Sequence, residues 1–388
     1  PPIQGTIRVV GRGCGAVSGP GIRRMAHFGS GSERPARISV SADFRVRRAA
    51  PAVQTGFSRA GICDIPAEGQ ARREGPAAME IITAPAPGQN VVEWTQSNRD
   101  RLAERLGASG LVLLRGFESG AGTTLRDMLG VFGLAPMADA RWSTPRSAVG
   151  EGAFTSTEYP PEQWIVLHSE MSYARSWPRL LAFQCRVPAE TGGATTVCDL
   201  AALSAAIPDL VEEFHEREVL YLRNFRPGID IPWQNAFGTE DPEEVARIAE
   251  ANELEIEWMP DGTLRTAQQA QGAITSPAGA LWFNQAQLFH PLQLDPETRA
   301  ALERAFGVEG LPRNATFGDG EPIPDAAIRR VLDALETHTR PLDWQAGDVA
   351  LVDNMRWMHG RAPFTGARKV HVAMGGPESE PDLTPLFH

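Results

Sequence analysis

Leu167-His168-Ser169-Glu170-Met171-Ser172-Tyr173 closes an apolar run, Trp164-Ile165-Val166-Leu167, with an imidazole and a carboxylate two residues apart. In an extended chain residues i and i+2 project to the same face, so His168 and Glu170 can reach one ion together. Far downstream a second apolar run, Val349-Ala350-Leu351-Val352, ends in Asp353-Asn354, and Met355-Arg356-Trp357-Met358-His359 follows. The two runs read as strands whose ends deliver polar side chains to one place.

Two imidazoles and one carboxylate are the ligand set that leaves half of an octahedral metal open to other ligands. The string alone does not establish it. With 8 His and 48 acidic residues such pairs arise by chance, and a histidine satisfied by a local hydrogen bond looks the same. Nine residues past His359, Arg368 adds a planar guanidinium whose fork matches a carboxylate.

Working outward, composition limits the alternatives. The 388 residues are 42% hydrophobic and 22% charged, as in an ordinary globular protein. No run approaches the roughly 18 apolar residues of a membrane span, and the expectation is a soluble cytoplasmic protein without a membrane partner. A net charge of −11 argues against a nucleic-acid partner. Cys14, Cys63, Cys185 and Cys198 show no C-x-x-C spacing, which suggests a reducing compartment and no zinc ribbon. Cys185 and Cys198 lie in apolar runs and read as buried free thiols.

Residues 1–78 differ from the rest. They hold twelve arginines against five acids, a net of +7 that leaves −18 for the remainder, with no sustained periodicity. A disordered tail, an Arg-rich transit peptide and upstream sequence read through a misplaced start all fit. The last is preferred because ordered-looking sequence follows Met79 at once. Residues 1–78 are thus expected to be a disordered or non-native extension, and 79–388 a single domain.

Within that domain, Val91, Trp94, Leu102 and Leu106 predict one amphipathic helix from Asn90 to about Leu106. Gly110 to Phe117 reads as a buried strand, Thr123 to Phe132 as a helix, and Arg179–Val187 and Ala194–Val197 as strands. Asp199 caps a helix interrupted near Pro208, and Asp241-Pro242, Asp295-Pro296 and Asp325 open three more. Val219–Phe225 reads as a strand, and a hairpin turns at Pro260-Asp261-Gly262. Strands over Leu281 to Gln285, Asp348–Asp353 and Lys369–Met374 follow. Many short strands with helices gathered between strand groups predict a mainly β core flanked by helices. A doubly wound parallel sheet ranks second, since no Gly-rich turn follows a first strand.

From about Leu102 to Met374 the chain resembles the TauD/TfdA family of Fe(II)/2-oxoglutarate-dependent oxygenases, and within it the SyrP-like branch that overlaps the clavaminate synthase-like enzymes. The likeness is carried by Thr155 to Pro160, Leu167 to Tyr173, Gly192-Gly193-Ala194-Thr195, Trp282-Phe283-Asn284-Gln285, and Gly347-Asp348 through His359-Gly360-Arg361-Ala362-Pro363-Phe364 to Arg368. It implies a jelly roll, or double-stranded β-helix, with Fe(II) on His168, Glu170 and His359. Arg368 and Thr195 would hold the distal carboxylate of 2-oxoglutarate, and Glu158, Asn284 and Gln285 would lie on the substrate side. O2 is the second cosubstrate, and succinate and CO2 are released.

Related halogenases carry a small residue where Glu170 stands, so halogenation is not expected. The taurine enzymes carry a second arginine where this chain has Val372, so sulfonates are not expected either, and His371 reads as structural. His290 reads as a core histidine, and Arg361 as either a carboxylate orienter or half of an ion pair. SyrP-like relatives imply hydroxylation of an amino acid or derivative, free or on a carrier protein, in natural-product biosynthesis. Desaturation and cyclisation use the same ligands. A zinc hydrolase would also use two His and one Glu but leaves Arg368 without a task. A jelly roll that keeps the metal without catalysis is the remaining alternative.

Overall fold

Residues 79–119, 124–137, 148–150, 153–155 and 159–387 are described by a computed structural model of the chain. Two facing sheets form the jelly roll. The larger runs in the order Glu80–Thr83, Leu111–Arg115, Val349–Asp353, Trp177–Val187, Lys369–Glu378, Ala153–Thr155, Ala148–Gly150. The smaller runs Arg340–Leu342, Thr195–Asp199, Trp357–Arg361, Ile165–His168. Chain neighbours are rarely sheet neighbours: Trp177–Val187 lies between two strands from near the C-terminus and is antiparallel to both.

The central strands of the larger sheet, Leu111–Arg115, Val349–Asp353 and Trp177–Val187, are buried on both faces, which is why they read as unbroken apolar runs. Leu111 and Leu113 point inward with Phe183, Cys185 and Val372 to meet Val197 and Trp357 of the smaller sheet. Val112 and Leu114, one residue out of phase, point outward to Leu102, Leu106 and Met128 of the covering helices. The same alternation divides the smaller sheet. Val197 and Trp357 face the interior, while Cys198 and Met358 join an outer core with Leu200, Phe214 and Tyr221. That outer core also involves a third sheet, Glu255–Trp258, Leu264–Ala270, Val219–Phe225 and Arg313–Phe317.

Several boundaries depart from the pattern. The single helix expected from Asn90 is two, Val91–Ser97 and Arg99–Ser109, because Asn98 turns its side-chain amide onto Trp94 O at 2.9 Å. Gly110 ends the second at φ +72°, as a left-handed cap. Asp199, Asp241 and Asp295 cap as expected, each accepting from a backbone N–H in the first turn. Asp325 instead is the first helical residue of Asp325–His338 and pairs with Arg299 at 2.9 Å. The strand near Leu281 stops at Trp282, and the one from Lys369 continues to Glu378. The reading of residues 1–78 as an extension lies outside the described residues. No described helix is long and apolar enough to cross a membrane.

Candidate metal centre

His168 is the last residue of Ile165–His168, and His359 is the middle of Trp357–Arg361. These strands are antiparallel neighbours in which the two histidines are direct partners, so their side chains rise together from one face. The ring centroids are 4.4 Å apart and the ring planes 49° apart. Glu170, two residues beyond the strand end, brings its Oε2 to 3.6 Å from His359 Nε2. One donor atom from each of the three lies within 4.8 Å of the others, and all three residues are buried.

Local bonding settles how the rings face. His168 Nδ1 sits 2.8 Å from Val166 O, and a carbonyl only accepts, so the proton is on Nδ1 and the lone pair on Nε2. His359 has no such carbonyl: its Nδ1 is buried with no hydrogen-bond partner among the described residues, and Phe183 packs against the ring at 5.2 Å. Two neutral nitrogens and one carboxylate oxygen suit a divalent transition metal better than Mg²⁺ or Ca²⁺, which prefer all-oxygen shells. The residues present therefore fit Fe(II).

Gly360 sets how closely the histidine strands approach. A Cβ there would lie 2.5 Å from Ile165 O and 2.8 Å from Thr196 Oγ1. Gly360→Ala is expected to destabilise the fold by about 1–3 kcal/mol through overpacking. It should also weaken divalent-metal binding by parting His168 from His359. Thermal melts with and without Mn(II) check this, and an unchanged metal-induced rise in melting temperature would contradict it.

A cavity lined by His168 and His359 is also walled by Phe183, Val370 and Val372 of the larger sheet and by Thr195, Arg361 and Arg368. Arg368 Nε donates to Gly193 O at 2.8 Å, and Nη2 lies 3.4 Å from Thr195 Oγ1. Burial, with the like charge of Arg361 adding to it, pulls the Arg368 pKa down to about 10, so the guanidinium is still charged at neutral pH. Gly193, at φ +70°, must be glycine, because a Cβ would meet Ala189 Cβ at 2.8 Å and Arg368 Cδ at 3.1 Å. Thr195 Oγ1 also accepts from Trp344 Nε1 at 2.9 Å. With two donors on the oxygen, the hydroxyl proton is left available for an acceptor that enters the cavity. Trp344 was not legible as a site residue, since its partner is 149 positions away.

Arg361 lines the same cavity, and its guanidinium is held by carbonyls, with Nη1 on Tyr159 O at 3.0 Å and Nη2 on Pro160 O at 2.6 Å and Gln163 O at 3.0 Å. Asn284 donates to Gly272 O at 2.6 Å and Gln285 to Ser169 O at 2.8 Å, which gives both structural work in the wall behind the ligand loop. Glu158 lies outside the described residues. His290 is a core histidine, with Nδ1 accepting from Leu292 N and Nε2 at 2.9 Å from Ile323 O. Cys185 and Cys198 are buried and free, and burial raises their pKa values to about 11 and about 12.

Comparison with known proteins agrees with this geometry. Residues 75–374 match the model of the taurine catabolism dioxygenase TauD, TfdA family. The dapdiamide synthesis protein DdaC of Enterobacter agglomerans is 34% identical over 306 residues, covering 78% of this chain and 92% of that protein. A clavaminate synthase-like protein of Arabidopsis thaliana is 29% identical over 75% of this chain and 89% of that one. The crystal structure of PvcB from Pseudomonas aeruginosa is a more distant likeness, 17% identical with a TM-score of 0.43 over 77% of this chain and 86% of that one. The chain belongs to the TauD/TfdA family, and it is a dioxygenase that uses Fe(II), 2-oxoglutarate and O2.

Proposed function

We propose that this dioxygenase hydroxylates an unactivated C–H of an amino acid or amino-acid derivative in natural-product biosynthesis, with 2-oxoglutarate leaving as succinate and CO2. The observation that carries the reading is the convergence of His168, Glu170 and His359 beside the cavity that holds Arg368. The biosynthetic setting is supported by the 34% identity to a dapdiamide synthesis protein.

In this reading His168 Nε2, His359 and Glu170 hold the iron. Arg368 presents its charge, and Thr195 its hydroxyl proton, to the distal carboxylate of 2-oxoglutarate. Bound iron, together with 2-oxoglutarate and O2, supplies the oxidant. Phe183, Val370 and Val372 give the cavity an apolar lining that keeps water out, and the rigid strands fix where the C–H must sit. Glu170 occupies the position a halide would need, which favours hydroxylation over halogenation. Residues 79–388 act as one catalytic domain.

The test is a screen of free and carrier-bound amino acids for stimulated succinate release by the iron-loaded enzyme. At least one should raise the rate above the substrate-free level and give a product heavier by one oxygen atom. A product lighter by two hydrogens would reassign the enzyme as a desaturase or cyclase. No stimulation by any of them would reject the substrate class.

A further inference from the structure

From Leu167 onward the chain ends its strand and leaves the sheet, and its buried peptide groups must find other partners. Side-chain carboxamides provide them. Gln287 Nε2 donates to Leu167 O at 2.9 Å, Gln285 Nε2 to Ser169 O at 2.8 Å and Gln271 Nε2 to Ser172 O at 2.7 Å. Asn354 takes both peptide groups of Glu170. Its Oδ1 accepts from Glu170 N at 2.6 Å, and its Nδ2 donates to Glu170 O and to Pro178 O, each at 2.9 Å.

Asn354 is itself held from the larger sheet. It follows Asp353, whose carboxylate meets Arg179 Nε at 3.0 Å, and its own N–H donates to Arg179 O at 2.9 Å. Asn354 is completely buried. One side chain therefore ties the ligand loop of the smaller sheet to the framework of the larger. The next residue, Met171, is left-handed at φ +57°, a conformation that a residue with a Cβ keeps only where its surroundings over-determine the backbone.

We propose that Asn354 is a positioning residue for the metal centre: by gripping the N–H and C=O of Glu170 it aims the carboxylate at the two imidazoles and sets the affinity for a divalent metal. This rests on His168, Glu170 and His359 being the ligands. The grip needs a carboxamide, because it accepts at one end and donates at the other. Aspartate has the same shape but brings no donor to the two carbonyls.

The test titrates the metal-free full chain and its Asn354→Asp and Asn354→Ala variants with Mn(II), reading the free ion by EPR, and compares visible spectra of the Co(II) forms. Both variants should bind Mn(II) about 10–100-fold more weakly, the usual effect of losing a partner that orients a ligand. Their Co(II) spectra should change while the far-UV circular dichroism stays parental. A folded variant with parental Mn(II) affinity and an unchanged Co(II) spectrum overturns the proposal. Glu170→Gln separates the two levels: if it binds Mn(II) as the parent does, the ligand assignment has failed and not the grip alone. Should neither variant fold, hydrogen exchange on the metal-free parent decides. A Glu170 amide protected like those of Val349–Asp353 supports the grip, and one that exchanges quickly until Mn(II) is added refutes it.

Discussion

Glu170→Ala is expected to end 2-oxoglutarate turnover, with kcat falling by at least about 10³, the equivalent of several kcal/mol of lost metal stabilisation. The carboxylate is the one anionic member of the ligand set, so its loss removes a donor and leaves the full divalent charge on two neutral imidazoles. Its backbone remains fastened at both peptide groups, so the variant should keep its circular dichroism spectrum. Bound iron by elemental analysis and succinate by chromatography check the two halves of the expectation. Glu170→Asp should fall between, since a side chain shorter by one methylene starts from the same fixed backbone but stops short of the imidazoles. A folded Glu170→Ala enzyme that releases succinate at near the parental rate would remove the basis of the metal assignment.

Arg368→Met is expected to raise the KM for 2-oxoglutarate by about 10²–10⁴. Two charge-assisted hydrogen bonds at roughly 1.5–3 kcal/mol each account for that range. Burial already lowers the Arg368 pKa to about 10, so a carboxylate that enters the cavity relieves a desolvated cation as well as binding to it. Arg368→Lys should recover a minority of the loss: an ammonium restores the charge but not the fork, and its four-carbon stem lacks the guanidinium edge that meets Gly193 O and Thr195 Oγ1. The iron content of both variants should be parental, because Arg368 is not among the three ligands. Steady-state kinetics with varied 2-oxoglutarate read the effect, and a KM within threefold of the parent for Arg368→Met would show that the cosubstrate carboxylate is held elsewhere.

What could be read in advance follows the range of the forces involved. Strands buried on both faces announce themselves as apolar runs, and Asp199, Asp241 and Asp295 cap their helices through bonds that span two or three residues. The His168 and Glu170 pair is equally local, because strand geometry alone puts both on one face. The strand Trp357–Arg361 was not foreseen: Gly360 and the inward His359 and Arg361 break the apolar alternation where the site is built. Asn354 and Gln287 were also silent, since a buried amide becomes legible only when its partner is known, and those partners are 184 and 120 residues away. Asn284 and Gln285 came from family likeness, and their contacts with Gly272 and Ser169 depend on how the outer hairpin packs against the loop. Asn98 split a helix whose apolar spacing runs through it unbroken, because a side chain that satisfies the preceding turn's carbonyl competes with the next turn of helix.

An enzyme that turns O2 into an oxidant is exposed to damage from its own misfires, and sulfur is the first casualty. Cys198 is the cross-strand partner of Met358, next in sequence to His359, and Cys185 lies under Arg368's charge. With its pKa near 11, Cys185 is ionised in only about one molecule in 10⁴ at neutral pH, and Cys198, near 12, in fewer. Reaction with peroxide proceeds through the thiolate, so the same apolar packing that closes the jelly roll also keeps these two buried thiols chemically quiet.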